Sequence, residues 1–300
     1  MKISLAFYSA SGCSGCLLSF LDMEEFFLKA NEFSIVWSPM FKDSRFEDLE
    51  KVDRIDVTFV EGCVRREEDE RVVKVLREKS EKLVALGTCA VFGGVPGLSN
   101  FYSAEEIVRD IYGEENRPKS RHILDGKYEL TLPEIRDHVS PLKDVVEVDQ
   151  YIPGCPPSKD QLLKALENSN EEWITSSNSV CTVCPRKPEE FSLSKIRRLE
   201  DDDGECFLNQ GYLCFGSVTS GNCDAACIKV NVPCLGCFGP FANAIDFGAK
   251  FVDLLASIAE KLEVVEELSR KYPNLARLLY IYTLPSATIN RKVRRHGERL

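Results

Sequence analysis

Thirteen cysteines in 300 residues are the side chains with the most chemistry to offer here. Six of them come as three pairs: Cys13-Ser-Gly-Cys16, Cys181-Thr-Val-Cys184 and Cys234-Leu-Gly-Cys237. A CxxC pair presents two thiolates from one short turn, so each pair can grip two corners of a metal centre. Disulfides would need an oxidising compartment, and the number of cysteines is odd. Structural zinc would account for one or two of the pairs, in compact closed sets. Iron–sulfur clusters take four cysteines each, often gathered from distant segments. Three such clusters would use twelve and leave one over.

The elements that must position these thiols alternate through the first half. Ile3 to Phe7 reads as a buried strand, and Leu17 to Ala30 as a helix with Leu17, Leu18, Leu21 and Phe26 on one face. Cys13 and Cys16 fall in the small-residue loop between them, where Gly12 and Gly15 let backbone approach something bulky. The helix N-terminus that follows favours an anion, which a cluster with four thiolate ligands is. Further strands are expected at Phe33–Trp37, Ile55–Val60, Lys82–Leu86 and Val145–Val148, with helices over Glu67–Glu78 and from Ser158 to Leu166. This alternation argues for an α/β fold with a doubly wound parallel sheet.

Cys13, Cys16, Cys63, Cys89 and Cys155 all lie just after an expected strand. In a parallel sheet those strand ends share one edge, so residues far apart in sequence can meet there. Cys13, Cys16, Cys89 and Cys155 are therefore assigned to a first cluster. Cys63 is the spare, either plain core or a neighbour of that cluster. The run Gly93 to Ala104 is glycine-rich but carries no Gly-Lys-Ser/Thr, so it is no phosphate loop. His122 and His138, in a polar stretch from 114 to 144, are read as solvated side chains rather than ligands.

Beyond residue 170 the periodicity fades. The stretch 171–248 holds eight cysteines: Cys181, Cys184, Cys206, Cys214, Cys223, Cys227, Cys234 and Cys237. So irregular a segment needs inorganic staples to hold a fold. Asp201-Asp202-Asp203 reads as a solvated turn. The three expected units are thus 1–170, 171–248 and a helical tail over 249–300. In that tail Phe251, Leu254, Leu255, Ile258, Leu262, Val265 and Leu268 mark one amphipathic helix, packed on this chain or on a partner. Asn290-Arg-Lys-Val-Arg-Arg295 is a basic end, solvated or a docking arm for an acidic partner. A net charge of −10 argues against a nucleic-acid binder. No apolar run reaches the roughly 18 residues of a membrane span, and the N-terminal apolar run is too short for a secretory signal, so a cytoplasmic location is expected.

Taken together, the chain resembles the small, electron-transfer subunit of nickel–iron hydrogenases. The matching pieces are Cys13-Ser-Gly-Cys16, Glu61-Gly62, Gly87-Thr-Cys-Ala90, Pro153-Gly-Cys-Pro-Pro157, Leu213-Cys-Phe-Gly-Ser-Val-Thr219, Gly221-Asn-Cys223 and Val232-Pro-Cys-Leu-Gly-Cys-Phe-Gly-Pro240. Within the family the resemblance is nearest to the archaeal-type, viologen-reducing soluble enzymes, with deazaflavin-reducing and NAD(P)-linked types as close relatives. The resemblance implies a flavodoxin-like first domain. It also implies a proximal cluster on Cys13, Cys16, Cys89 and Cys155, a medial one on Cys223, Cys234 and Cys237, and a distal one on Cys184, Cys206 and Cys214. Two departures carry information. Cys181 stands where many members have histidine, and Cys227 can supply a fourth medial ligand. Both point to three 4Fe–4S clusters held by thiolates alone, and added negative charge should lower the potential. Glu is common just before the first cysteine, but Gly12 stands there, so no proton transfer is assigned to this loop; Glu61 is expected beside the first cluster.

The implied partners are a large subunit holding the nickel–iron centre and a further iron–sulfur or flavin subunit that accepts electrons. Two other readings remain at this point. One is the single-cluster iron–sulfur subunit of a quinone-reducing respiratory enzyme; the other is a zinc-stapled interaction module.

Overall fold

The computed structural model describes residues 2–113, 122–126, 128–167, 177–198, 201–242 and 244–290. Five strands, β1 (Ile3–Ser9), β2 (Phe33–Trp37), β3 (Ile55–Glu61), β4 (Ser80–Leu86) and β5 (Gln150–Ile152), form one parallel sheet in the order 2-1-3-4-5. That is the doubly wound, flavodoxin-like order, whose ligand crevice lies beyond the carboxyl ends of the strands. The central strands are apolar almost throughout because both faces are covered. Alternation along β1 divides the core. Leu5 and Phe7 join Phe20, Phe26, Phe59 and Val84 on one face. Ala6 and Tyr8 join Trp37, Val60, Val73 and Leu76 on the other. Phe7 is fully buried, stacks on Phe59 at 5.2 Å and meets Phe20 edge-on at 5.4 Å. Full burial of each such ring stabilises by about 1.5–3 kcal/mol.

Local signals explain most of the helices that return the chain. α1 (Gly15–Leu21) begins directly at the first cysteine loop, with Ser14 in the left-handed region at φ 63°. α2 (Glu67–Lys79) opens on Glu67, Glu68, Asp69 and Glu70, which suit the positive end of its dipole, and buries Val72, Val73 and Leu76. α3 (Gly87–Phe92) follows β4 without a loop, and α4 (Lys159–Leu166) is capped by Ser158 accepting from the Gln161 N–H. Asp69 is fully buried and accepts from the Ser11 hydroxyl at 2.6 Å and from the backbone N–H groups of Arg65 and Arg66. This ties the loop after β1 to α2.

Four expected elements are redrawn. The helix expected over 17–30 breaks at Asp22–Met23 into α1 and a short helix, Glu24–Leu28. Met23 is extended there, which lets both Met23 and Phe26 reach the core. The fifth strand is Gln150–Ile152 rather than Val145–Val148; those valines are side chains packed against the core after a turn at Leu142–Asp144. The polar stretch before it contains a hairpin, His122–Asp125 with Tyr128–Thr131, and the strand Ile135–Ser140, which pairs with Val64–Arg66. The tail helix is two helices, α5 (Phe247–Ile258) and α6 (Leu262–Lys271). The chain breaks between them because Leu193 pairs with Ile258 and Glu260 through backbone hydrogen bonds. Phe251, Leu255, Val264 and Leu268 share one core with Phe207, Phe215, Cys206, Cys214 and Cys234, so the tail packs on this chain. The basic end beyond Asn290 lies outside the described residues.

Candidate metal-cluster sites

The strand order brings the first four thiols together. Cys13 sits on the loop from β1 into α1, Cys16 in the first turn of α1, Cys89 in the first turn of α3 after β4, and Cys155 just after β5. Burial pushes the Cys16 thiol up, and Glu61, Cys89, Cys155 and Cys13 push it further. The Cys89 thiol is pushed up to about 12 by burial, then by Cys155 and Cys13. Glu61 is 2% exposed and lies beneath the loop. Its carboxylate accepts from the Cys16 N–H at 2.9 Å, the Leu17 N–H at 3.2 Å and the Ser9 hydroxyl at 2.6 Å. It thereby caps α1 and fixes the orientation of Cys16.

Two glycines leave room for these sulfurs. A Cβ on Gly87, whose φ is +81°, would fall 2.3 Å from Cys16 Sγ. One on Gly94, at φ +58°, would fall 2.4 Å from Cys89 Sγ. The glycine-rich run after α3 is thus a cradle for Cys89, with Val95–Phe101 forming a 3-10 turn behind it.

The eight later thiols divide in two. Cys181, Cys184, Cys206 and Cys214 act on one another: burial and then Cys184 and Cys206 push Cys181 up to about 12, and Cys214 responds to Cys181 and Cys206. The other set is Cys223, Cys227, Cys234 and Cys237: burial, then Cys234, Cys223 and Cys227, push Cys237 up to about 12, while Cys234 stands between the two sets, since after burial Cys214 acts on it before Cys223 does. All four of this second group line a cavity of about 310 Å³, which Cys155 also reaches. Among the described residues, no three ligating side chains converge tightly enough for a single bare ion. Cys223, Cys227, Cys234 and Cys237 stand around a space, and glycines clear room beside Cys16 and Cys89, in an all-sulfur donor set. That fits a 4Fe–4S cluster better than one compact ion.

The three groups are hydrogen-bonded in series. The Thr88 hydroxyl donates to the Cys237 carbonyl and accepts from the Gly154 N–H at 3.0 Å. Between the second group and the third, the Cys234 N–H donates to Cys214 Sγ at 3.3 Å. Cys63 is a neighbour of the first group, since after burial Cys89 acts on it most. It is fully buried, its thiol donates to the Ser11 carbonyl at 3.0 Å, and burial pushes its pKa up. His122 lies exposed on the hairpin against Thr131.

Two features beside the thiols escape the sequence reading. Thr88 lies inside the Gly87-Thr-Cys-Ala90 run, yet nothing local says which carbonyl it would find. The run Asp201–Asp203 is exposed, as a solvated turn would be, but its middle residue also forms a clasp. Asp202 takes both ends of the Arg186 guanidinium at 2.6 Å, Asn231 accepts from Arg186 at 2.7 Å, and Arg186 stacks on Phe207 at 4.4 Å. The Arg186 guanidinium holds the Asp202 carboxyl well below the usual range. The Arg186 N–H also points to Cys184 Sγ at 3.4 Å. An arginine two residues after a cysteine, followed by an acidic run, was the available signal.

Comparison with known proteins gives a consistent picture. The family described as NADH ubiquinone oxidoreductase, 20 Kd subunit, matches residues 13–169. The iron–sulfur subunit of the F420-non-reducing hydrogenase of Archaeoglobus profundus is 39% identical, covering 98% of this chain and 99% of that protein. A vhu subunit of the F420-non-reducing hydrogenase of Methanocaldococcus jannaschii is 35% identical, over 98% of this chain and 99% of that one. A solved NiFeSe hydrogenase chain from Desulfovibrio vulgaris Hildenborough shares the fold, with a TM-score of 0.52 at 17% identity over 80% of this chain and 94% of that one.

Proposed function

The chain belongs to the family of the NADH ubiquinone oxidoreductase 20 Kd subunit, among its nickel–iron hydrogenase small-subunit relatives, and from that premise we propose that it is the electron-conducting subunit of a heteromeric cytoplasmic hydrogenase. Cys13, Cys16, Cys89 and Cys155 would hold a proximal 4Fe–4S cluster. Cys223, Cys227, Cys234 and Cys237 would hold a medial one, and Cys181, Cys184, Cys206 and Cys214 a distal one. When bound, these clusters supply one-electron steps between the nickel–iron site of a large partner subunit and an iron–sulfur or flavin acceptor subunit. The observation that supports the reading is the meeting of Cys13, Cys16, Cys89 and Cys155 at one sheet edge, with the later thiols close to one another and Cys234 hydrogen-bonded to Cys214.

This chain's own residues position and tune rather than react. Glu61 orients Cys16 and adds negative charge beside the proximal site. Thr88 fixes the proximal loops against the medial one, and Arg186 braces the distal loop through Asp202. A thiolate at Cys181, in place of imidazole, favours a low distal potential and so low-potential acceptors. Among the described residues, no helix is long and apolar enough to cross a membrane.

Metal analysis of the complex, purified without oxygen, tests the reading. About twelve irons per copy of this chain, with nickel in a larger co-purifying chain, is the expected result. About four irons would favour the single-cluster respiratory relative, against which the eight later thiols argue. Zinc without nickel would overturn the reading.

A further inference from the structure

The cavity lined by the medial thiols is also lined by Cys155, assigned to the proximal set, and by Tyr282. Tyr282 belongs to the tail, far outside the span that the family matches. Its place is fixed by the glycine-rich cradle. The Tyr282 carbonyl accepts the Gly94 N–H at 3.1 Å, and Gly94 is the residue pressed against Cys89 Sγ. Three residues on, Pro285 fills the space above Gly93 and Gly97, where added Cβ atoms would fall 2.2 and 2.5 Å from its ring. The tail therefore cannot slide without disturbing the loop that seats a proximal ligand. The phenol stays half-buried in the gap. After burial, the groups acting most on its hydroxyl are Cys155 of the proximal set and then Cys237, Cys227 and Cys234 of the medial set.

We propose that Tyr282 is a positioning residue for electron transfer, its ring filling the gap between the proximal and medial sites and its hydroxyl donating a hydrogen bond to cluster sulfur there. A donor aimed at sulfur stabilises the added electron, and a packed ring keeps water out; both set a cluster's potential. The proposal rests on the assignment of the two thiol groups to clusters.

The test is a redox titration of the anaerobic complex followed by electron paramagnetic resonance. It compares the unmodified protein with Tyr282→Phe, which keeps the ring and removes the donor, and with Tyr282→Leu. Tyr282→Phe is expected to lower the potential of the proximal or the medial cluster by about tenfold in the reduction equilibrium, about 59 mV for one electron. Iron content and the distal potential should stay unchanged. Tyr282→Leu, which removes the ring as well, is expected to slow dihydrogen-driven reduction of the medial cluster relative to the proximal one. Unchanged proximal and medial potentials in Tyr282→Phe would overturn the proposal, as would a parallel shift of all three. Failure of the cluster assignment itself would show separately, as iron well below about twelve per chain in the unmodified protein.

Discussion

Replacing Glu61 separates its structural from its electrostatic contribution. The carboxylate is 2% exposed and accepts two backbone amides, those of Cys16 and Leu17, together with the Ser9 hydroxyl. In Glu61→Ala the Ser9 hydroxyl can turn to Ser14 Oγ, already 3.0 Å away. The two amides have no such alternative, and each buried donor left unpaired costs about 1–3 kcal/mol, so the substitution costs about 2–6 kcal/mol. That is a large share of the roughly 5–15 kcal/mol that holds a domain together. At about 2–4 °C per kcal/mol, a fall in melting temperature of at least about 4 °C is expected. The loss should centre on the proximal site, with about four irons gone and about eight retained. Glu61→Gln keeps one acceptor oxygen for the amides, and serine can accept from the new amide group. It removes the charge that, after burial, acts most on Cys16. Its melting temperature should stay close to that of the parent while the proximal potential alone rises. Calorimetry, iron analysis and a redox titration read the three quantities. If Glu61→Ala melts at the parent temperature with its iron intact, the cap on α1 contributes nothing and the reasoning fails.

Other perturbations follow from the same geometry. Gly87→Ala places a Cβ against Cys16 Sγ in a left-handed backbone, so the proximal irons should be lost while the remaining roughly eight stay in iron analysis. Cys227→Ala should convert the medial site to a three-iron cluster of raised potential, visible by electron paramagnetic resonance, whereas Cys63→Ser should leave the iron count intact because its thiol is engaged by the Ser11 carbonyl. Arg186→Leu releases Asp202 and Asn231 together and should speed iron release from the distal site, measured with a chelator. The buried thiols of Cys89, Cys181, Cys214, Cys234 and Cys237 are pushed up to about 12, so without metal they hold their protons at neutral pH and each ligand binds by losing one. Protons thus compete with iron, and release to a chelator should accelerate as pH falls from about 8 to about 6; a rate independent of pH would contradict this.

The proximal thiol group was legible in the sequence because its members follow strand ends, and strand ends in a parallel sheet share an edge whatever their spacing. The later thiols carry no such guide. Among the described residues between 177 and 242 the only helices are single turns, so which cysteine meets which is decided by tertiary packing, and their grouping came from resemblance to known proteins. The misplaced fifth strand has a similar cause. Val145, Val146 and Val148 look like a strand by composition, yet they serve as packing for the core, while pairing falls to Gln150–Ile152, where Val84 and Leu86 offer partners. Thr88, Asp202 and Tyr282 were passed over because each acts on a residue at least eight positions away that nothing in its neighbourhood specifies.

The serial arrangement of the thiol groups has a consequence for folding. Cys206, Cys214 and Cys234 are members of the same apolar core as Phe207, Phe215, Phe251 and Tyr280. These thiols are therefore not hung on a finished scaffold; they are part of what is packed. A buried thiol group without metal keeps its protons and loses the four-way tie between distant loops, so the core around it loses its cross-links as well. Through the Cys234 N–H to Cys214 Sγ, and through Thr88 to the Cys237 carbonyl, the medial loop is the shared neighbour of the other two. Emptying the medial site should therefore loosen both flanking sites, whereas emptying the distal one leaves the Thr88 link to the proximal loops in place. The tail adds to this coupling, since Pro285 and the Tyr282 carbonyl bind it to the cradle of Cys89 while α5 packs on Phe215. Metal loading and folding of the second half are on this account one event, centred on the medial group.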